Sequence, residues 1–134
     1  MGRKVELWDK TYKCGGLEVS GPIQGLHTWH DAMKLALPPG WRVANDADWD
    51  KIKEHFNGNA LKFIAGLGIE MDGYMATNGT FFNFGTNAYL WSSSVYGAYA
   101  WYRALYSGGA TVARVTSTKA LGFSVRCVRD IESQ

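Results

Sequence analysis

Two hydrophobic periods divide this chain. In its first half the pattern is helical in two places. Trp29, Ala32, Met33 and Ala36 recur at i, i+3, i+4 and i+7, which lines one face of a helix. Thr28 opens that helix with Asp31 three residues on, an acidic variant of the capping box, and Pro38-Pro39-Gly40 ends it. Asn45 caps a second helix with Asp48 at its third position. Trp49, Ile52 and Phe56 form its inward stripe, and Asn57-Gly58 stops it. Elsewhere the period is two. Val5 and Leu7 alternate with Glu6 and Trp8, which predicts a strand over residues 4–8. Residues 17–19 and 41–43 are short extended pieces, and Gly21-Pro22 is a turn. After Gly58 the text is punctuated by glycine and β-prone. Asp72-Gly73 and Asn78-Gly79 are hairpin signals, and Phe81, Phe82 and Phe84 are expected to pack across the loops. The last strand, residues 123–128, puts Phe123, Val125 and Cys127 on one face. It is expected to be central, beside the N-terminal strand and residues 98–106. The order predicts an α+β fold, two helices followed by a short-stranded, loop-rich antiparallel sheet.

One stretch stands out from this pattern. Residues 89–130 have strand-like ends, 89–94 and 122–130, around a run of small, polar and aromatic residues. Seven aromatics fall within residues 89–106: Tyr89, Trp91, Tyr96, Tyr99, Trp101, Tyr102 and Tyr106. No helical face accounts for that density. The stretch reads as a rigid frame holding a recognition surface, with Trp91 and Trp101 as core and Tyr102 and Tyr106 as surface.

Composition narrows the function classes. A chain of 134 residues is expected to form a single domain, 1–134, large enough to bury a core without staples. Net charge is +2 with no block of like charge, so no basic patch points to nucleic acid. No apolar run approaches the roughly 20 residues of a membrane span. The start, MGRKVELWDK, lacks a signal-peptide apolar core. Either export uses another route, or the chain was trimmed, or the protein is assembled into a particle. Cys14 and Cys127 are either one disulfide joining the two ends of the chain or two buried thiols.

Chemistry is sparse. Asp46, Asp48 and Asp50 suit the positive end of a helix dipole better than a metal. His55 reads as a cation at a helix C-terminus, while His27 and His30 flank the first helix. There is no HExxH and no GxSxG, and the serines 92–94 read as a hydrogen-bonded sheet edge. The chain is expected to be no enzyme, with no metal and no cofactor.

Five pieces of the sequence together resemble a known family: the helix running into PPGWR (residues 29–42), NDADW (45–49), NFGTNAYLWSSS (83–94), AYAWYR (98–103) and the ending KALGFSVRCVRD (119–130). They resemble the Fibrobacter succinogenes major paralogous domain, whose fold is similar to the C-type lectin and formylglycine-generating-enzyme group. The same scaffold resembles the variable proteins of diversity-generating retroelements, in which a reverse transcriptase copies a template with errors at adenines. Varied AAC codons reach Tyr, Ser, Gly, Ala, Val and Thr. The resemblance therefore implies a variable region within 89–130. Its ligand-binding residues would be Val95, Tyr96 and Gly97 before the strand and Tyr102, Ala104 and Tyr106 alternating along it. Ser107, Gly108 and Gly109 would follow at its turn, and Ala113, Val115 and Ser117 after that. Arg103, Leu105, Arg114 and Arg126 would be the fixed support, with Arg103 and Arg114 bracing loop carbonyls from below. Alternation puts Tyr102, Ala104 and Tyr106 opposite Arg103 and Leu105.

The implied function is a receptor- or adhesin-type protein with a protein or glycan ligand on another cell or particle, itself displayed on a surface or a virion. The alternatives are a non-diversified paralogous domain with a fixed role, or a formylglycine-generating-type enzyme. The chain also departs from these relatives. Leu37 stands where the family often has a cysteine before Pro-Gly-Trp. The Glu-Pro-Asn and Trp-Asn-Asp elements of calcium-dependent lectins are missing, and Cys14 with Cys127 does not match the enzyme's cysteine pair.

Overall fold

A computed structural model describes residues 7–131. The elements in order are β1 (Thr11–Cys14), β2 (Leu17–Ser20), α1 (Trp29–Met33), β3 (Arg42–Val43), α2 (Asp46–His55), α3 (Ala60–Leu67), β4 (Tyr74–Met75), β5 (Phe81–Phe82), β6 (Asn87–Tyr96), β7 (Tyr99–Tyr106), β8 (Ala113–Thr118) and β9 (Cys127–Asp130). The class is α+β, with antiparallel strand pairs throughout the named sheets. Three sheets form, ordered β1-β2-β9-β3, β4-β5 and β6-β7-β8.

Local signals explain most of the helices. Thr28 accepts from the Asp31 amide and starts α1. That helix is shorter than its apolar stripe implied. It closes at Lys34 with tight bonds to Asp31 O and Ala32 O, so Ala36 lies outside it and is exposed. Asn45 and Asp48 form a reciprocal capping box on α2, whose Trp49 and Ile52 are fully buried. The third helix, α3, stands where β-prone text was expected. Asn59 caps it by accepting from Lys62 N, and Ala60, Phe63 and Leu67 bury one face. Gly66 belongs there because the Phe56 ring lies against it, where a Cβ would collide.

Several strand expectations change. Most of the strand expected over residues 4–8 lies outside the described residues, and Leu7 and Trp8 are not in a strand. The C-terminal strand is central but spans Cys127–Asp130 rather than 123–128, with Phe123 and Ser124 only in isolated bridges, and its neighbours are β2 and β3 rather than β7. Asn78-Gly79 does turn the β4–β5 hairpin, through Ala76 N to Thr80 O at 2.8 Å. Asp72-Gly73 is no hairpin turn; Gly73 instead bridges Ala88. Phe81, Phe82 and Phe84 do not pack across loops but stand exposed.

The β6-β7-β8 sheet has apolar clusters on both faces. Directly opposed residues share a face, so Leu90, Arg103 and Arg114 point one way and Trp91, Tyr102 and Val115 the other. The first face meets α2 and α3 through Ala88, Leu90, Leu105, Trp49, Ile52 and Phe63. The second holds Tyr89, Trp91, Ala100, Ala104 and Phe123. Cys14 sits in the first cluster and Cys127 in the second, and both are free thiols.

Candidate binding surface

The support beneath the aromatic stretch is ionic and centred on the first turn of α2. Arg103 is 1% exposed. Its Nη2 donates to Asp46 Oδ1 at 3.3 Å, Asp50 Oδ1 at 3.2 Å and Asp46 O at 3.4 Å. Arg114, across the strand pair, donates to Asp46 Oδ2 from Nε and Nη2 at 3.0 and 2.7 Å. Its guanidinium also lies 3.6 Å from the Trp101 ring centre. Asp48 takes Arg42 in a fork of 3.0 and 2.6 Å. All three acids of the NDADWD run are therefore claimed by arginines, besides complementing the helix dipole. The bracing of β7 and β8 is thus mainly to carboxylates, where loop carbonyls were expected. Carbonyls are met by Arg126 instead. It is buried and donates to Leu67 O at 2.6 Å, Gly68 O at 2.9 Å and Ser20 O at 3.0 Å, which satisfies the end of α3. Burial lowers its pKa to about 10.

The serines 92–94 explain how the strand reaches this frame. Register between β6 and β7 slips between Trp91 and Val95, a bulge that frees backbone and hydroxyl groups. Ser93 N then donates to Ala44 O at 2.9 Å, and Ser94 Oγ accepts from Asp46 N at 3.0 Å. The serines lie on the outer strand β6, a hydrogen-bonded sheet edge as expected, and tie it to the start of α2. Trp91 is fully buried, donating to His27 O at 2.7 Å. Trp101 is half-buried between Tyr96 and Arg114. His55 lies in the last turn of α2, as expected, and its Nδ1 accepts from Gly15 N at 3.3 Å.

The residues expected to bind ligand do not form one alternating face. Ala104 is fully buried in the second cluster. It cannot present a side chain, because the face opposite Arg103 and Leu105 is covered by Phe123 and Tyr89. Tyr102 is half-buried, its ring 4.6 Å from Phe123. Its phenol pKa is raised by that burial first and then by the neighbouring Tyr106, Tyr89 and Tyr74. Tyr106 is exposed, as are Val95, Tyr96, Gly97, Ser107 and Gly108. Gly109, Ala113, Val115 and Ser117 are half-buried.

By register, Val95, Ser117, Val115, Tyr102, Ala113 and Tyr106 border one face, a strip roughly 20 Å long. Tyr96 lies on the other face, edge-on to Trp101 at 5.5 Å. Tyr99, 52% exposed beside Tyr96, was missed, although tyrosine in this run was itself the signal. Phe82 was missed as well. It stacks on Tyr74 at 5.4 Å, and Tyr74 meets Tyr89 at 5.4 Å, which extends the strip's inner border with aromatic surface. The Tyr89 hydroxyl is fixed by Asn87 and Asn83 side chains at 2.6 and 2.9 Å.

A shallow depression of about 500 Å³ lies at the Val95 end, lined by Ala98, Thr118, Lys119, Thr28 and His30 among others. Among the described residues, no group of three or more His, Cys, Asp or Glu could hold a metal ion, and no helix is long and apolar enough to cross a membrane.

A family model for the Fibrobacter succinogenes major domain matches residues 6–129. No curated protein and no solved structure matches the chain.

Proposed function

The chain belongs to the Fibrobacter succinogenes major domain family, and from that premise we propose that it is a ligand-binding protein of the receptor or adhesin type, with a surface diversified by a retroelement. The observation that carries this reading is how residues reachable from varied AAC codons are distributed. Val95, Tyr96, Gly97, Tyr106, Ser107 and Gly108 are exposed, while the interleaved Arg103 and Leu105 are buried in contacts with α2 and α3. Such a frame lets exposed side chains change while the core keeps its bonds. Tyrosine offers large area with few rotors and Ser or Gly adapts, the mixture found in antibody paratopes. Tyr106 is the anchor of the strip, beside the half-buried Tyr102, and Tyr96 is an anchor on the opposite face.

A C-type lectin-like fold belongs to the same proposal. Its support is the meeting of early and late segments in the β1-β2-β9-β3 sheet, with the long hairpins carried separately. The partner would be a protein or glycan on another cell or particle, bound without calcium and without catalysis. The test is the DNA beside the gene. A nearby repeat matching codons 95–121 except at adenines, with a reverse-transcriptase gene, is the expected result. Absence of both would leave a paralogous domain with a fixed surface.

A further inference from the structure

The β4–β5 hairpin keeps two phenyl rings in water on a rigid mount. Phe81 and Phe84 are 63% and 77% exposed. Met75 and Gly122 exchange both backbone hydrogen bonds, at 2.9 and 2.8 Å, Gly73 N donates to Asn87 O at 2.9 Å, and Gly85 N to Met71 O at 2.7 Å. Gly73 has φ +67, and any Cβ there would collide with Phe82 O. The hairpin is thus held from both sides, and its exposed rings are not a by-product of a loose loop. Rings left in water forgo the burial that stabilises a fold, and apolar surface presented this way marks an interaction site.

Register divides the hairpin into two faces. Tyr74 pairs with Phe82 and Met75 with Phe81. The first pair joins the aromatic border of the strip. The second turns away and, with Phe84, Leu26 and Ile23, walls a groove of about 620 Å³, the size of a small-ligand or side-chain site. Glu70 and Asp72 complete the wall, and among the described residues no Lys, Arg or His lines it. That local sign opposes the chain's net charge of +2.

We propose that this groove docks an extended peptide segment of a partner protein, an aromatic or aliphatic anchor flanked by lysine or arginine. The anchor lies between Phe81, Phe84 and Leu26, and the flanking cation meets Glu70 and Asp72. Charge complementarity selects this occupant. An acidic segment would meet two carboxylates, while Arg126 behind them is buried and committed to the Ser20, Leu67 and Gly68 carbonyls, which disfavours it. Groove residues fall at 22–26, 70–75 and 81–84, outside codons 95–121. The site is therefore constant even where the strip varies.

The test is titration of ¹⁵N-labelled protein with acetyl-Ala-Lys-Phe-Lys-Ala-amide and with its glutamate counterpart. Amide shifts from the lysine peptide are expected to centre on 22–26, 70–75 and 81–84, with the glutamate peptide about tenfold weaker. Phe84→Ala and Glu70→Gln, both at exposed positions, are expected to keep a dispersed native spectrum and each weaken the lysine peptide about fivefold. Three results would overturn the proposal: no shifts at millimolar peptide, equal binding of both peptides, or shifts confined elsewhere. Groove shifts that grow with protein concentration alone would make a second copy the occupant and overturn it too. Tyr106→Ala leaves this binding unchanged, so failure here is separable from failure of the diversified strip.

Discussion

The two faces of the β6-β7-β8 sheet are both covered, but by different physics. On the helix side, Arg103 and Arg114 reach carboxylates of α2 at 2.7–3.3 Å over a floor of Leu90 and Leu105. On the other side, Tyr89, Trp91 and Phe123 stack with centroids 4.3–5.4 Å apart and Ala104 lies among them. Charge-assisted bonds demand a donor and acceptor in fixed directions. Aromatic burial asks mainly for area and volume. The first face therefore ties particular residues to particular partners. The second is exacting at Ala104, in its centre, and permissive at Tyr106, on its rim. Exposure in this sheet changes along the strands as much as across them, which is why alternation alone misplaced Ala104.

The largest effect should come from the ionic face. Arg103→Ala leaves Asp46 with Arg114 and Asp50 largely in water. It also relieves an Nε that has no acceptor among the described residues. The loss should therefore sit at the lower end for a broken buried pair, about 3 kcal/mol in urea unfolding. A loss below about 0.5 kcal/mol, the level of an ordinary surface change, would break the contrast between the faces. Next in size is the aromatic face at its centre. Ala104→Tyr adds a ring where no space exists and should cost about 1–3 kcal/mol, or more if the sheet must open. If it is tolerated without loss, Ala104 returns to the set of variable positions and the alternating reading revives.

The two thiols give a smaller and more even reading of both faces. Burial raises Cys14 in the helix-side cluster to about 11 and Cys127 in the aromatic cluster to about 12, from an ordinary 9.0. A folded pKa above the unfolded one contributes stability that is complete below pH 9 and drains as pH rises towards 11–12. At pH 10 each thiol should cost about 1 kcal/mol relative to neutral pH, and replacing either by Ala should remove its share of that slope. Alkylation in native buffer should be negligible, becoming fast only in denaturant.

Much of this was legible beforehand, for reasons that differ by residue. Thr28, Asn45 and Asp48 act through bonds to amides three residues away, so their caps show in the text. The family resemblance implied the supporting role of Arg103 and Leu105, while their split from Tyr102 and Tyr106 showed in the alternating run. The α3 helix did not, because ALKFIAGL is nearly all apolar and carries Gly66, a glycine whose reason is the Phe56 ring of another turn. The partners of Asp46, Asp48 and Asp50 were hidden as well. Dipole complementarity already explained those acids, while Arg103 and Arg114 lie 53 to 68 residues away on another sheet. The exposure of Phe81 and Phe84, which wall a groove, had no local signal, since phenylalanine in such text is expected to pack.

The smallest expected effect is at the rim of the aromatic face, and it bears most directly on function. Tyr106 is 42% exposed at the end of β7, opposite Asn87, and its hydroxyl has no hydrogen-bond partner among the described residues. Truncation there removes little buried area, so Tyr106→Ala should shift stability by no more than about 0.5 kcal/mol. Binding should respond very differently, since an exposed tyrosine that anchors a partner is worth about 2 kcal/mol or more at an interface. A binding-array comparison of wild type and Tyr106→Ala against cell-surface proteins and glycans, alongside urea unfolding, separates the two quantities. Loss of binding at unchanged stability would sharpen the contrast: the rim of this face is free to serve recognition because the centre carries the fold. A stability loss as large as that of Ala104→Tyr would instead make Tyr106 core, and the division between a fixed centre and an interchangeable rim would fail.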